Sequence, residues 1–159
     1  MDNATTFAYP YDLAEAGGEW VVTFPDLPGA ITGGATRAEA RALARDAMVA
    51  ALGGCMETRD DIPPPSAPAK GQEVAYLDPL EAAKVALYIA MRGAGLTNVG
   101  LAAKLRMDEK AVRRMLDLDQ RTRIDAIHDA LRGVFGVRLV TAMCLAGGSG
   151  LAHGGAHEG

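Results

Sequence analysis

Lys104, Arg106, Lys110, Arg113 and Arg114 fall close together in the segment LAAKLRMDEKAVRRML, with Glu109 among them. Lysine and arginine donate to guanine O6 and N7, glutamate accepts from cytosine N4, and any exposed cation can meet a phosphate. Such a cluster reads DNA only when a rigid element presents it, because a charge run alone is a solvated face. Two other patterns invite phosphate chemistry. Gly29, Gly34 and Thr36 fit G-x-x-x-x-G-K-[ST], but Ala35 stands where the lysine should be, so the segment GAITGGAT reads as a turn and not as a nucleotide cradle. Asp12, Glu19, Asp26 and Asp46 would serve two-metal chemistry only by converging on ions about 4 Å apart. Asp26 falls in a turn and Glu19 on the strand face opposite that of Val22, so they read as solvated surface acids. His153 and His157 have a helical i, i+4 spacing but lie in a glycine-rich run that cannot hold it. Cys55 and Cys144 have no second ligand nearby and read as buried spectators. No metal, cofactor or catalytic residue is expected.

For the basic cluster to reach base edges, two short helices must hold it. Thr97 can cap a helix carrying Leu101, Ala102 and Leu105, and Asp108 can cap one carrying Val112, Met115 and Leu116. Only Arg106-Met107 separates them, which is the layout of a helix-turn-helix. In that motif the second helix enters the major groove and its first residues meet the bases. Ala102 supplies the small residue at the crossing, and Val112 with Leu105 the packing. Glu109, Lys110, Arg113 and Arg114 then face outward for base edges, with Lys104, Arg106, Arg121 and Arg123 available to phosphates. Thr97 joins the DNA-binding set at the start of the first helix. A preceding helix begins at Asp78-Pro79, buries Leu80, Ala83, Leu87 and Met91, and ends at Gly93 or Gly95. A following one carries Ile124, Ile127, Leu131 and Val134. VRLVTAM has the composition of a C-terminal strand, and GGSGLAHGGAHEG that of a flexible tail.

The front half has a different pattern. TFAYPYDLA and EWVVTF read as strands around the turn Ala16-Gly17-Gly18, the second with Trp20, Val22 and Phe24 on one face. AIT is a third strand that Gly33-Gly34 ends. Thr36 and Glu39 form a capping box, opening a helix with Ala40, Leu43, Ala47 and Ala51 on one stripe that Gly53-Gly54 weakens or ends near Cys55. After the proline-rich IPPPSAPAKG, EVAYL returns as a strand. The expectation is β-β-β-α-β over residues 1–77, an all-α unit over 78–146 and a tail over 147–159.

With 159 residues, 49% hydrophobic and 23% charged, the chain has material for one ordinary domain or two small folded ones. No apolar run approaches the roughly 18 residues that cross a bilayer, and the start lacks the basic and apolar regions of a signal peptide. A cytoplasmic location away from membranes is expected. The net charge of −4 is uneven: ten acids against four arginines give −6 for residues 1–65, and twelve bases against nine acids give +3 for 66–150. The front suits a basic partner and the back an acidic one.

Gly18-Glu19-Trp20-Val21-Val22-Thr23-Phe24-Pro25-Asp26-Leu27-Pro28-Gly29, then Ile31-Thr32-Gly33-Gly34 and Thr36, resembles the signature of HicB-type antitoxins of bacterial type II toxin–antitoxin systems. The segment from Leu96 to Val140 resembles the phage-repressor-type helix-turn-helix that many of them carry. It departs at Arg106, where such repressors usually have glycine. The resemblance implies an α+β chain with a truncated RNase H-like front domain that blocks a basic, RNA-binding, mRNA-cleaving toxin of HicA type. It also implies operator binding and repression of the chain's own operon, with a homodimer or higher oligomer reading paired half-sites. Competing readings are a stand-alone helix-turn-helix regulator whose front domain senses or oligomerises, and an RNase H-like enzyme.

Overall fold

The computed structural model describes residues 5–140. β1 (Ala8–Ala16) and β2 (Glu19–Thr23) form an antiparallel hairpin. Gly17 and Gly18 close it at φ 64° and 86°, the conformation whose twist suits two-residue hairpins and which side chains resist. With β3 (Ile31–Gly34) and β4 (Glu73–Tyr76) the sheet order is β3-β2-β1-β4, every neighbour antiparallel. Tyr9, Tyr11, Val22 and Ala75 are buried on one face beneath α1 (Arg37–Thr58). The expected β-β-β-α-β order is therefore present.

Three details differ from the expectations. Gly33 and Gly34 do not end the third strand but form half of it, because a bare backbone lets Gly33 lie against the Trp20 backbone of β2 and Gly34 against the helix. A Cβ on Gly34 would sit 2.7 Å from Glu39 Cβ and 2.9 Å from the Ala40 nitrogen. The helix passes Gly53-Gly54 and stops at Arg59, whose φ of 61° turns the chain so that the Asp60 amide donates back to the Cys55 carbonyl. Its buried stripe is Ala40, Ala44, Met48 and Leu52, whereas Leu43 is 42% exposed. The Thr36–Glu39 capping box is formed as expected, with the hydroxyl accepting from the Glu39 amide and the carboxylate from the Thr36 amide, both at 3.2 Å.

Helices α2 (Pro79–Gly93), α3 (Asn98–Leu105), α4 (Glu109–Leu116) and α5 (Ile124–Phe135) complete the order. α2 serves two packing groups. Val85 and Ala82 meet the sheet core, while Ala83, Leu87 and Met91 pack with Leu101, Val112, Ile127 and Leu131. Polar contacts hold α2 to α1 and to the residues that follow it. Arg45 donates to Asp78 and Glu81, both at 2.6 Å, the Tyr88 hydroxyl to the Asp60 carbonyl at 2.6 Å, and Arg92 to Asp61 at 2.8 Å.

The expected C-terminal strand is absent from residues 137–140. Gly136 at φ 67° ends α5, the Val137 amide bonds back to the Leu131 carbonyl, and no described strand lies beside it to form a ladder. The rest of that segment, Cys144, the two tail histidines and the tail itself lie outside the described residues. Among the described residues no single helix is long and apolar enough to cross a membrane.

Candidate nucleic-acid interface

Each of the two short helices begins with a side chain that satisfies a free amide, as the sequence indicates. The Thr97 hydroxyl accepts from the Gly100 amide at 3.1 Å, and Asp108 from the Ala111 amide at 2.6 Å. Inward, Leu101, Ala102, Val112 and Met115 are buried, with Leu105 packed against them. Outward, Lys104, Arg106, Lys110, Arg113 and Arg114 are all exposed and Glu109 is half-buried.

The turn between α3 and α4 is left-handed at Arg106, with φ 55° and ψ 44°. A side chain in that conformation costs roughly 1–2 kcal/mol relative to glycine, which has no Cβ to clash with the following carbonyl. The turn holds because the Arg106 amide donates to Ala103 O and the Met107 amide to Ala102 O, closing the end of α3. The turn thus has a left-handed backbone at Arg106 and carries a cation at its apex.

Electrostatics sorts the cluster into two groups. Arg113 donates to Glu109 one helical turn earlier, with Nη2 to Oε1 at 2.6 Å, so this pair presents little net charge. Lys104, Arg106, Lys110 and Arg114 form no ion pair among the described residues. Lys110 and Arg114 are also one turn apart on α4 and so lie on one stripe. Arg121 and Arg123 are exposed in the segment before α5, and Arg123 lies 3.9 Å from Asp125.

The sequence reading missed Lys84. This α2 residue is 0% exposed and ends beneath the C-terminus of α4. Its Nζ donates to the carbonyls of Arg114 (3.4 Å), Asp117 and Gln120 (2.5 Å). Burial pushes its pKa below the usual lysine value, against the opposing pull of Asp117, Asp119 and Glu81. An ammonium here satisfies carbonyls that have no partner within the helix and meets the negative end of the α4 dipole. It fixes the helix that carries Lys110 and Arg114. The available signal was a lysine beside Ala83 and Leu87 within the apolar stripe.

In the front unit, Glu73 is the charged hub. It accepts from Arg41 at 2.7 and 2.5 Å, from the Tyr11 hydroxyl at 2.9 Å and from Arg37 at 3.1 Å. Arg41 above all, then the Tyr11 hydroxyl, holds its carboxyl at about 2, while burial opposes the shift. The four acids considered for metal chemistry are separately engaged. Asp12 accepts from Gln72, Asp26 from Ser66, Asp46 lies 3.8 Å from Arg45, and Glu19 is exposed. Among the described residues no three acids, histidines or cysteines gather as a metal site would need. Cys55 is half-buried and not fully buried as expected, because it lies beside the buried stripe of Ala40, Ala44, Met48 and Leu52 and not on it.

Comparison with known proteins covers both units. Residues 7–86 match the family described as HicB_like antitoxin of bacterial toxin-antitoxin system. The chain is 38% identical to Antitoxin HicB 2 of Photorhabdus laumondii subsp. laumondii over 126 residues, which span 79% of this chain and 89% of the relative. It is 34% identical to Antitoxin HicB of Escherichia coli strain K12 over 128 residues, 79% of this chain and 92% of that one.

Proposed function

The chain belongs to the HicB-like antitoxin family, and from that premise we propose that it neutralises a small mRNA-cleaving toxin of HicA type and represses its own operon. The toxin is the basic partner that the acidic front half suits. We assign toxin binding to residues 1–77 as a truncated RNase H-like domain and DNA binding to 78–146. In this reading α3 and α4 are a helix-turn-helix that works as a homodimer in the cytoplasm. The chain acts by binding and not as an enzyme.

The observation that carries the DNA half of this reading is the pair of short capped helices with an unpaired, exposed Lys110–Arg114 stripe on the second. Lys110 and Arg114 reach base edges, with Glu109 and Arg113 beside them. Thr97, Lys104 and Arg106 meet phosphates on either side, the sequence-blind and salt-sensitive part of affinity. Toxin neutralisation and operator binding then depend on different surfaces. Lys110→Ala and Arg114→Ala should each cost roughly 1–3 kcal/mol of operator binding, read by gel shift or anisotropy on the promoter fragment, while toxin binding persists. Unchanged operator affinity in both variants would refute the groove assignment. A gene neighbourhood lacking any small basic toxic protein would favour a stand-alone regulator.

A further inference from the structure

From the front unit we infer where the toxin docks: the open face of the β2–β3 half of the sheet, together with the free edge of β3. This rests on the antitoxin reading above. Strand alternation puts Tyr9, Tyr11, Trp20 and Val22 beneath α1 and sends Asp12, Ala14, Val21, Thr23 and Ile31 to the other face. Residues 66–72 run past the β1–β4 half, where Gln72 binds Asp12 of β1 and Pro10 is buried, and Ser66 ties the segment to Asp26 in the loop after β2. The β2–β3 half has no such cover. Ile31 is 64% exposed there, with Ala14, Thr23 and Gly33 also exposed and Val21 half-buried. β3 ends the sheet, so one row of its backbone amides and carbonyls is free to pair.

Charge selects the occupant. The four strands contain no lysine or arginine, and of their acids Asp12 and Glu19 lie on the open face without an ion pair among the described residues, whereas Glu15 and Glu73 lie on the α1 face and Glu73 is paired with Arg41 and Arg37. The front unit's arginines all lie on α1 or at its end, across the sheet, and three of the four are spent on Glu73, Asp78 and Glu81. The remaining base, Lys70, is in the 66–72 segment. An apolar centre edged by unneutralised acids matches a basic protein surface. A second copy of this chain would bring the same acids against it, since a two-fold contact pairs a patch with itself. A basic RNA-binding toxin that seats its cationic surface here loses the surface that grips RNA.

The test is binding of the full chain to the toxin encoded beside it, made inert by substitution and measured by calorimetry. The face variant is Glu19→Lys with Ile31→Lys. The control is Ala50→Lys with Glu57→Lys, the same charge change at exposed positions of α1. The face variant should lose roughly tenfold or more in affinity and the control stay within about twofold. Equal losses, or none, overturn the assignment. So does an altered mass of the toxin-free face variant, which would make the patch a contact between copies. Amide exchange on the wild type is independent of the variants' folding. Toxin should slow exchange in residues 19–34, and unchanged exchange there overturns the inference. A wild type that does not bind the toxin at all removes the antitoxin reading itself.

Discussion

Replacing Lys84 by methionine keeps most of the apolar stem and removes the three hydrogen bonds its ammonium gives to Arg114, Asp117 and Gln120. A hydrogen bond to a charged group contributes about 1.5–3 kcal/mol net. Three would exceed the true loss, because the variant no longer holds an ammonium out of water and the Arg114 contact, at 3.4 Å, is weak. Roughly 2–4 kcal/mol should remain as the cost, from the lost charge-assisted bonds and from the Gln120 carbonyl left without a donor, while the Arg114 and Asp117 carbonyls keep the Thr122 hydroxyl and the Gln120 amide. In a chain of this size that lowers Tm by roughly 4–16 °C, readable by circular dichroism. The functional signature is separate. Well below the variant's Tm, operator affinity should fall because the C-terminal end of α4 has lost its anchor, while toxin binding, carried by the front unit, stays at the wild-type value. A variant within about 0.5 kcal/mol of wild type, with unchanged operator affinity, would refute the account of Lys84 as the fastener of the DNA-reading helix.

Three further outcomes follow from particular contacts. Arg106→Gly should raise stability by roughly 1 kcal/mol in denaturant unfolding by relieving the left-handed side chain, and lower the salt dependence of operator binding by about one phosphate contact. The Glu73 carboxyl titrates lower in the folded chain than in the unfolded one, so its stabilisation is complete above about 4.5 and is lost as pH falls through about 2. Glu73→Gln should therefore cost roughly 1–2 kcal/mol near neutrality, after allowance for its half-exposed arginine partners, and flatten the acid side of the stability curve measured by urea titration across pH. Gly34→Ala should destabilise the front unit by roughly 1–3 kcal/mol, seen as a lower urea midpoint, because the new methyl meets the first turn of α1.

What was legible in the sequence was local. Thr36 with Glu39, Thr97 and Asp108 each act within three residues, so helix starts could be read from side-chain chemistry alone. The buried face of α1 could not, because alanines surround that helix and its apolar contrast is weak; the sheet chose Ala44 and Met48 over Leu43. Gly33 and Gly34 look like terminators because glycine usually breaks strands, yet both pair with β2, where Gly33 lies close to the Trp20 backbone and Gly34 to the first turn of α1. Lys84 escaped because its partners are backbone carbonyls 30 and more residues away, which no pattern of residue types encodes. The exposed cations were legible as types, but their division into a paired Arg113 and unpaired Lys110 and Arg114 needed coordinates.

The central claim is that this chain silences a toxic neighbour. Expression of the adjacent gene alone, and then together with this chain, under separate inducible promoters in a host lacking both, tests it directly by growth and by survival of reporter mRNA. The account predicts arrest with mRNA loss from the toxin alone, and restoration of both by the full chain, including its Lys110→Ala/Arg114→Ala form. Arrest that persists when the soluble chain is present in excess would contradict it.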